Sequence, residues 1–180
     1  RYKFAWFELG YSYGALNKNE LSIECYEKVL NRDRSYYIAW HNIGAAYSKL
    51  RNFPEAIKCY KKTLSFNPQY EKAYENLGLV FFKMNKFENS IEYCEKSLSI
   101  NPQKGFSWGI MGHSYKKLSN SQKKIEFCSK GIKYFKKMLK SDNNNQVYWN
   151  NLGCNYGNLG EYYKTIKCCK KSIDINAKYE

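Results

Sequence analysis

The residues of this chain that could do chemistry are, first, its two histidines, His41 and His113. A histidine acts as a general base only when a nucleophile or a carboxylate lies within hydrogen-bond reach. The sequence contains no paired-carboxylate motif and no phosphate-cradling glycine loop, and the two histidines lie two repeats apart in the pattern described below. We therefore expect that the chain is not an enzyme and that it holds no cofactor.

The seven cysteines are the second candidates, for a metal site or for disulfides. Tetrahedral zinc needs four converging ligands, and the sequence has no C-x2-C pair. Six of the cysteines recur instead at two adjacent places of the repeat: Cys25, Cys59 and Cys168 at one, and Cys94, Cys128 and Cys169 at the next. We interpret them as small buried hydrophobic residues. Many unpaired thiols indicate a reducing compartment, so we expect the protein to be cytoplasmic. An assembly associated with an organelle remains an alternative location.

The elements that position these residues are copies of one segment of 34 residues. An aromatic residue recurs at the fourth place of each copy: Trp6, Trp40, Tyr74 and Trp108 follow one another at intervals of 34 residues, and Trp149 follows after 41. The predicted repeats run 3–36, 37–70, 71–104, 105–145 and 146–179. Nearly the whole chain therefore consists of versions of a single unit.

Each repeat is expected to form two helices. In the second repeat, Trp40, Gly44 and Tyr47 fall at spacings of three and four, which is typical of one helix face. Pro54 stands where the first turn of a second helix accepts it, and Asn67-Pro68 ends that helix. Neither helix can bury its apolar stripe alone, so neighbouring pairs must stack.

The pattern W-x2-L-G-x2-Y, followed by a small residue, an aromatic residue and a proline, resembles the tetratricopeptide repeat family. The second repeat matches best, at Trp40, Gly44, Tyr47, Ala56 and Pro68. The departures are Ser22 and Arg34 in the first repeat, Lys124 and Gly131 in the fourth, and Thr165 and Ala177 in the fifth. The resemblance implies an all-α fold, a right-handed superhelical α-solenoid of antiparallel helix pairs, and it does not specify a function.

The resemblance also implies that the first helix of each pair lines a concave groove. The proposed groove residues are polar or basic: Asn42, Asn76, Asn151, His41, Lys49, Lys72, Lys83, His113 and Lys116. The three asparagines share one place, where their amides could pair with the backbone of an extended peptide, although Glu8 and Ile110 interrupt the row. The lysines favour an acidic or extended partner segment.

Chaperone-tail adaptors of this family hold two carboxylates in a clamp of lysines, asparagines and an arginine. Asn42 and Lys72 match that clamp. Phe7 and Tyr11 stand where it needs lysine and asparagine, and Asn76 replaces a basic residue. We therefore expect no tight binding of chaperone tails.

The formal net charge of +14 has two interpretations. It could form a surface for nucleic acid, anionic lipid or an acidic protein. Alternatively it reflects a genome rich in A and T, because lysine comes with abundant asparagine, isoleucine, tyrosine and phenylalanine. Arginine is scarce, which argues against bidentate phosphate recognition.

Two further expectations concern the fourth repeat and the ends of the chain. Ile132, Phe135 and Leu139 continue the helical spacing, so the second helix of repeat 4 should be extended by about two turns.

The chain begins at Arg1 without a methionine, and the last helix carries Ile166 and Ile173 with nothing after it to cover them. We expect a fragment of a longer protein, with a contact through the uncapped C-terminal repeat.

The sequence thus predicts a protein–protein interaction scaffold or adaptor that holds a peptide or helical segment of a partner in its groove. Two alternatives stay open: an RNA-binding helical array that uses the basic surface, and the targeting arm of an enzyme whose catalytic domain lies outside this chain. No apolar run is long enough for a membrane span.

Overall fold

The computed structural model describes residues 2–102, 105–118 and 121–177. All regular structure in these ranges is α-helical, which confirms the predicted all-α class. The ten helices described are α1 Lys3–Ala15, α2 Asn19–Leu30, α3 Tyr37–Lys49, α4 Phe53–Phe66, α5 Glu71–Lys83, α6 Phe87–Ile100, α7 Gly105–Lys117, α8 Ser121–Ser141, α9 Gln146–Asn158 and α10 Tyr162–Asn176. None of them is long and apolar enough to cross a membrane.

One turn conformation joins the two helices of a pair wherever the structure describes the turn residue. That residue has a positive φ: 56° at Asn17, 60° at Arg51, 58° at Asn85 and 79° at Gly160. The next backbone N–H then donates to a carbonyl five residues back, as from Lys18 to Tyr13 over 2.9 Å. This contact is the six-to-one hydrogen bond of a Schellman motif, and it satisfies a carbonyl at the end of the first helix.

Contacts divide the chain into two compact units, residues 1–86 and 87–180. In the first unit, α1 contacts α3 and α3 contacts α5, so the first helices of successive pairs lie side by side. Its buried cluster includes Tyr26, Val29 and Leu30 of α2 together with Ile43 of α3. This cluster fills the space between the first pair and the next helix, as stacking of neighbouring pairs requires.

The second unit contains α6 to α10, and its core depends on the length of α8. This helix has 21 residues, against 12 to 15 in the other second helices. The ring of Phe127, in its first half, stacks 5.2 Å from Trp108 of α7. Phe135 and Leu139, in its second half, form a buried cluster with Leu152 of α9. The first half of α8 therefore packs on α7, and its second half packs on α9.

Residues that depart from the repeat pattern have local explanations. Ser22 and Thr165 stand where the pattern has a small residue, and the Ser22 hydroxyl donates to the Gly10 carbonyl over 2.7 Å. The Thr165 hydroxyl has two acceptors within reach, the Glu161 carbonyl at 3.2 Å and the Gly153 carbonyl of the partner helix at 3.3 Å. Each hydroxyl thus has an acceptor, as a donor withdrawn from solvent requires. Gly131 makes room for the side chain of Asn155, which lies against it.

The cysteines behave largely as small core residues. Cys25, Cys59, Cys94, Cys128 and Cys168 are buried, Cys169 is partly buried and Cys154 is exposed, and all seven are free thiols. Burial raises the pKa of the Cys59 thiol to about 12, so this group stays protonated at neutral pH. The apolar side chains of α10 lie open in this chain, with Ile166 and Ile173 53% and 66% exposed.

Candidate functional site

Two of the expected groove residues in the first unit line a pocket of about 230 Å³ between α1, α2 and α3. We call it the α1–α3 pocket. Its lining residues are Tyr11, Gly14, Ala15, Asn19, Ser22, Tyr26, Asn42, Ala45, Ala46 and Lys49. Glycine or alanine at four of these places keeps the pocket open between the helices. It therefore joins Asn42 and Lys49 to two tyrosines and a second asparagine.

Asn42 and Lys49 are held by contacts with neighbouring helices. The phenol of Tyr26 has its pKa raised to about 12 by burial, and a hydrogen bond with the Asn42 side chain opposes that shift. The Lys49 ammonium donates to the Gly14 carbonyl over 3.0 Å and lies 3.3 Å from Oδ1 of Asn17. A cation is favourable at this point because the last carbonyls of α1 are the negative end of its dipole. Both side chains thus enter the pocket with defined positions.

Asn19 is the pocket residue that sequence reasoning missed. Its Nδ2 donates to the Asn17 carbonyl over 3.2 Å, and the residue is 8% exposed. Its buried Oδ1 has no hydrogen-bond partner among the described residues. An unpaired buried acceptor is unfavourable, so a movement of this side chain that gave Oδ1 a donor would be favourable. A signal existed, because the second and third repeats carry Phe53 and Phe87 at the same place.

His41, which we expected as a polar groove residue, is buried in the first unit. Its ring centroid lies 5.5 Å from that of Tyr60 and 5.1 Å from that of Tyr70. Burial, with a smaller contribution from the positive charge of Lys72, lowers the pKa of His41 to about 4. The imidazole is therefore neutral at physiological pH.

Asn76 of α5 lies beside His41 of α3. Its Nδ2 is 3.5 Å from His41 Nε2. Lys72 and Lys83 of the same helix, α5, are exposed. The first unit therefore contains two pairs of polar side chains from this set: Asn42 and Lys49 line the same pocket, and His41 and Asn76 lie beside each other.

In the second unit, the expected groove residues differ in exposure. His113 and Lys116 of α7 are exposed, and His113 Nδ1 lies 2.7 Å from the Gly109 carbonyl oxygen. Asn151 of α9 is buried at 7% exposure, and its Nδ2 has no hydrogen-bond partner among the described residues. The three asparagines of one repeat place therefore have three different surroundings.

Comparison with known proteins settles the family. Two family models described as tetratricopeptide repeat match the chain. One matches residues 37–70 and 71–104, and the other matches residues 5–36 and 147–179. These ranges cover most of the chain.

This chain belongs to the tetratricopeptide repeat family.

Solved structures of other tetratricopeptide repeat proteins share the fold. MamA (residues 41 to the end) from Desulfovibrio magneticus RS-1 is 15% identical, with a TM-score of 0.68 over 98% of this chain and 96% of that one. YrrB, described as a tetratricopeptide repeat protein with an unusual peptide-binding site, is 20% identical, with a TM-score of 0.62 over 94% and 84%. The first such domain of Spaghetti (RPAP3), bound to the HSP90 peptide SRMEEVD, is 24% identical, with a TM-score of 0.63 over 66% and 94%.

At these identities the similarity establishes the fold alone, that of an all-α tetratricopeptide repeat solenoid, and so confirms the predicted fold class. Comparison with curated protein sequences gives no match. In the described part of this tetratricopeptide repeat chain, no group of three or more His, Cys, Asp or Glu residues could hold a metal ion. The polar groups described above can form hydrogen bonds and charge pairs.

Proposed function

We propose that this chain is a protein-interaction scaffold whose first unit holds an extended segment of a partner protein in the α1–α3 pocket. The observation that carries the proposal is that the lining of this pocket brings together three hydrogen-bonding side chains, those of Asn19, Asn42 and Lys49. Oδ1 of Asn19 has no partner among the described residues but is covered from solvent, so the side chain must turn before a backbone N–H of an entering segment can reach it. Asn42, in the same lining, adds an amide that can both donate and accept.

Lys49 extends the proposed site toward acidic groups. An ammonium has three donors, and the Gly14 carbonyl and the Asn17 side chain engage two of them. No described residue engages the third, which can meet a carbonyl or a carboxylate of the partner. The exposed lysines of the predicted groove, Lys72, Lys83 and Lys116, make each surface on which they lie more favourable for an acidic segment. We extend the proposal to these lysines, and to His41, Asn76, His113 and Asn151, as residues that contact or orient the partner.

Two structural relatives agree with this mode of action. YrrB has a peptide-binding site, and the RPAP3 domain binds an HSP90 peptide. Both show that the fold is compatible with peptide binding. The partner of this chain is proposed from its own pocket, because sequence identity to these proteins is low.

Photo-crosslinking tests the proposal directly. A photoreactive amino acid replaces Ala45, which lines the α1–α3 pocket, or Lys61, an exposed residue of α4 outside it. Each protein is irradiated in extract of the source cell, with and without ribonuclease, and the adducts are mapped by mass spectrometry. We expect a polypeptide adduct from position 45 that is absent from position 61. Asn19→Ala should weaken that adduct while the melting curve stays cooperative.

Three outcomes would overturn the proposal. The first is equal adducts from both positions, which would indicate nonspecific contact. The second is an adduct that Asn19→Ala leaves unchanged. The third is a nucleic-acid adduct that ribonuclease removes, which would favour the RNA-binding alternative.

A further inference from the structure

The second unit contains a pocket of about 440 Å³ between α8, α9 and α10. We call it the α8–α10 pocket. Its floor is apolar and consists of Leu139, Trp149, Leu152, Tyr156 and Cys168. The indole N–H of Trp149 donates to the Asn143 carbonyl over 2.8 Å, so the ring presents its apolar surface to the pocket without an unpaired donor. The floor is therefore suited to an apolar side chain.

The rim of this pocket is basic. Lys136 and Lys140 of α8 stand on one side, and Lys164 and Lys167 of α10 stand on the other. All four are exposed, and the described lining residues include no aspartate or glutamate. Glu161, outside the lining, pairs with Lys164 over 3.1 Å. An exposed pair of this kind is weak, so the rim stays strongly positive.

The ammonium groups of two rim lysines lie over the ring of Tyr156 in the pocket floor. The ammonium of Lys136 lies 5.8 Å from the ring centroid of Tyr156, and that of Lys164 lies 5.4 Å from it. A cation over an aromatic face is attracted to it, which keeps both charges at the mouth of the pocket. Anions that approach the mouth therefore meet two lysines from two different helices.

A pocket at the same place of the repeat occurs in the first unit, between α2, α3 and α4. Its floor is nearly the same, since Trp40, Ile43, Tyr47 and Cys59 correspond to Trp149, Leu152, Tyr156 and Cys168. Its rim, however, has both signs: Glu27 and Glu55 stand with Arg34, Lys58 and Lys62. The single-sign rim therefore belongs to the α8–α10 pocket and is not shared by its counterpart in the first unit.

The α8 side of this basic rim depends on the seven extra residues of the fourth repeat. Seven residues make about two helical turns, so α8 is extended while its apolar face keeps its direction. Leu139 of the extension is buried like Leu30 of α2. When repeat places are numbered with this extension of seven residues in repeat 4, Lys136 occupies the place of Glu27 in the first unit. Lys164 of repeat 5 occupies the place of Glu55. Two carboxylates are thus replaced by two lysines at the mouth of one pocket.

We propose that the α8–α10 pocket binds an acidic peptide segment of a partner protein. An apolar side chain of the segment rests on Trp149, Leu152 and Tyr156, and flanking carboxylates pair with the lysines of the rim. An apolar anchor surrounded by complementary charge is a common arrangement at protein interfaces. The site goes beyond the function proposed above, because it lies in the other compact unit and uses different helices.

Titration calorimetry with defined peptides tests this proposal. The probe is the capped peptide Asp-Glu-Leu-Phe-Glu-Asp, and the comparison peptides are Asp-Glu-Ser-Ser-Glu-Asp and Lys-Lys-Leu-Phe-Lys-Lys. The pocket variant is Lys136→Glu with Lys140→Glu. The matched control is Lys133→Glu with Lys137→Glu, which changes the net charge equally on exposed residues of the same helix outside the lining.

We expect the probe to bind at least tenfold more tightly than either comparison peptide. The pocket variant should weaken the probe at least tenfold, and the control variant should change its affinity less than threefold. Equal weakening by both variants, or equal binding of the serine peptide, would overturn the proposal in favour of general charge attraction. Absence of probe binding would overturn it, as would binding to phosphatidylserine vesicles without binding to the probe. Crosslinking from position 45 is independent of these results, so the two proposals can fail separately.

Discussion

Asn155 of α9 packs directly on Gly131 of α8, with its Oδ1 only 2.5 Å from the position that a Cβ on Gly131 would occupy. All three terminal atoms of the Asn155 amide lie within 3.0 Å of that position. The same amide donates to the Asn151 carbonyl over 2.8 Å. The glycine in the middle of α8, which departs from the repeat pattern, is thus explained by a contact with the next repeat.

Gly131→Ala should destabilise the second unit. The added methyl group displaces the Asn155 amide and breaks its bond to Asn151, which we expect to outweigh the better helix propensity of alanine, for a net loss of about 1 kcal/mol. Urea denaturation followed by circular dichroism measures the change. The double variant Gly131→Ala with Asn155→Ala should recover stability relative to Gly131→Ala. A single variant as stable as the original chain would contradict this contact.

Gly44→Ala should cost more, because the neighbour is a rigid ring. A Cβ there would lie 2.8 Å from Cε1 of Tyr60, a side chain that is 1% exposed. Overpacking a closed core of this kind costs about 1–3 kcal/mol. Gly109→Ala serves as the control, since a Cβ there meets nothing within 4 Å. It should stabilise its helix by up to about 1 kcal/mol, and equal destabilisation by both changes would refute the explanation.

His41 should make stability fall in mild acid. Its pKa is about 4 in the folded chain, below the ordinary value of about 6.5 expected after unfolding. The unfolded state therefore binds the proton first, so the stability associated with neutral His41 is complete above about pH 6.5 and is lost as the pH falls toward 4. The loss can reach about 3 kcal/mol.

Urea denaturation at a series of pH values between 7 and 4 measures this effect. The variant His41→Gln keeps a polar side chain of similar size without a titrating ring. The stability difference between the two proteins should shrink or change sign as the pH falls. A difference that stays constant over this range would show that His41 titrates alike in both states.

Thiol labelling should proceed in stages. Cys154 is exposed, although partial enclosure beside Cys169 raises the pKa of its thiol, whereas Cys59 is buried with a thiol pKa of about 12. We expect an aromatic disulfide reagent at pH 8 to label Cys154 first and the five buried cysteines only after urea is added. Cys154→Ser should remove the fast phase. Fast labelling that survives this substitution would place another cysteine at the surface.

Chaperone-tail peptides should bind weakly to this chain. The family clamp for two carboxylates needs a lysine and an asparagine where α1 has Phe7 and Tyr11. Phe7 instead packs its ring 5.4 Å from that of Tyr26, as part of the core. Calorimetry with the peptide SRMEEVD should show a dissociation constant above about 100 μM, since lost charge pairs each reduce affinity several-fold. Micromolar binding would contradict this expectation.

The class of fold and the family were accessible from the sequence. Trp40, Gly44 and Tyr47 recur with the helical spacing that a packed pair requires, and the observed helices and the family models confirm that interpretation. The reason is that each repeat place has one packing role, so a residue type that meets the role recurs at a fixed interval. Helix spacing and repeat length are therefore properties of the chain itself.

The surroundings of a single side chain were not accessible in the same way. Asn42, Asn76 and Asn151 share one repeat place, yet the first pairs with Tyr26, the second approaches His41 and the third is buried. Each neighbour belongs to another helix, and its identity at that place varies from repeat to repeat. The spacing of residues along the chain identifies the face of a helix but does not identify the residues of the other helices that pack against that face.

The sequence by itself therefore determined that this chain folds as tetratricopeptide helix pairs, because helix periodicity is a local property. Only the tertiary structure decided which polar atoms are left without a partner, such as Oδ1 of Asn19, and which pocket has a basic rim. Burial and charge at a site are sums over atoms from three helices. Those helices come from separate parts of the chain, so their combined surface exists only after they have packed together.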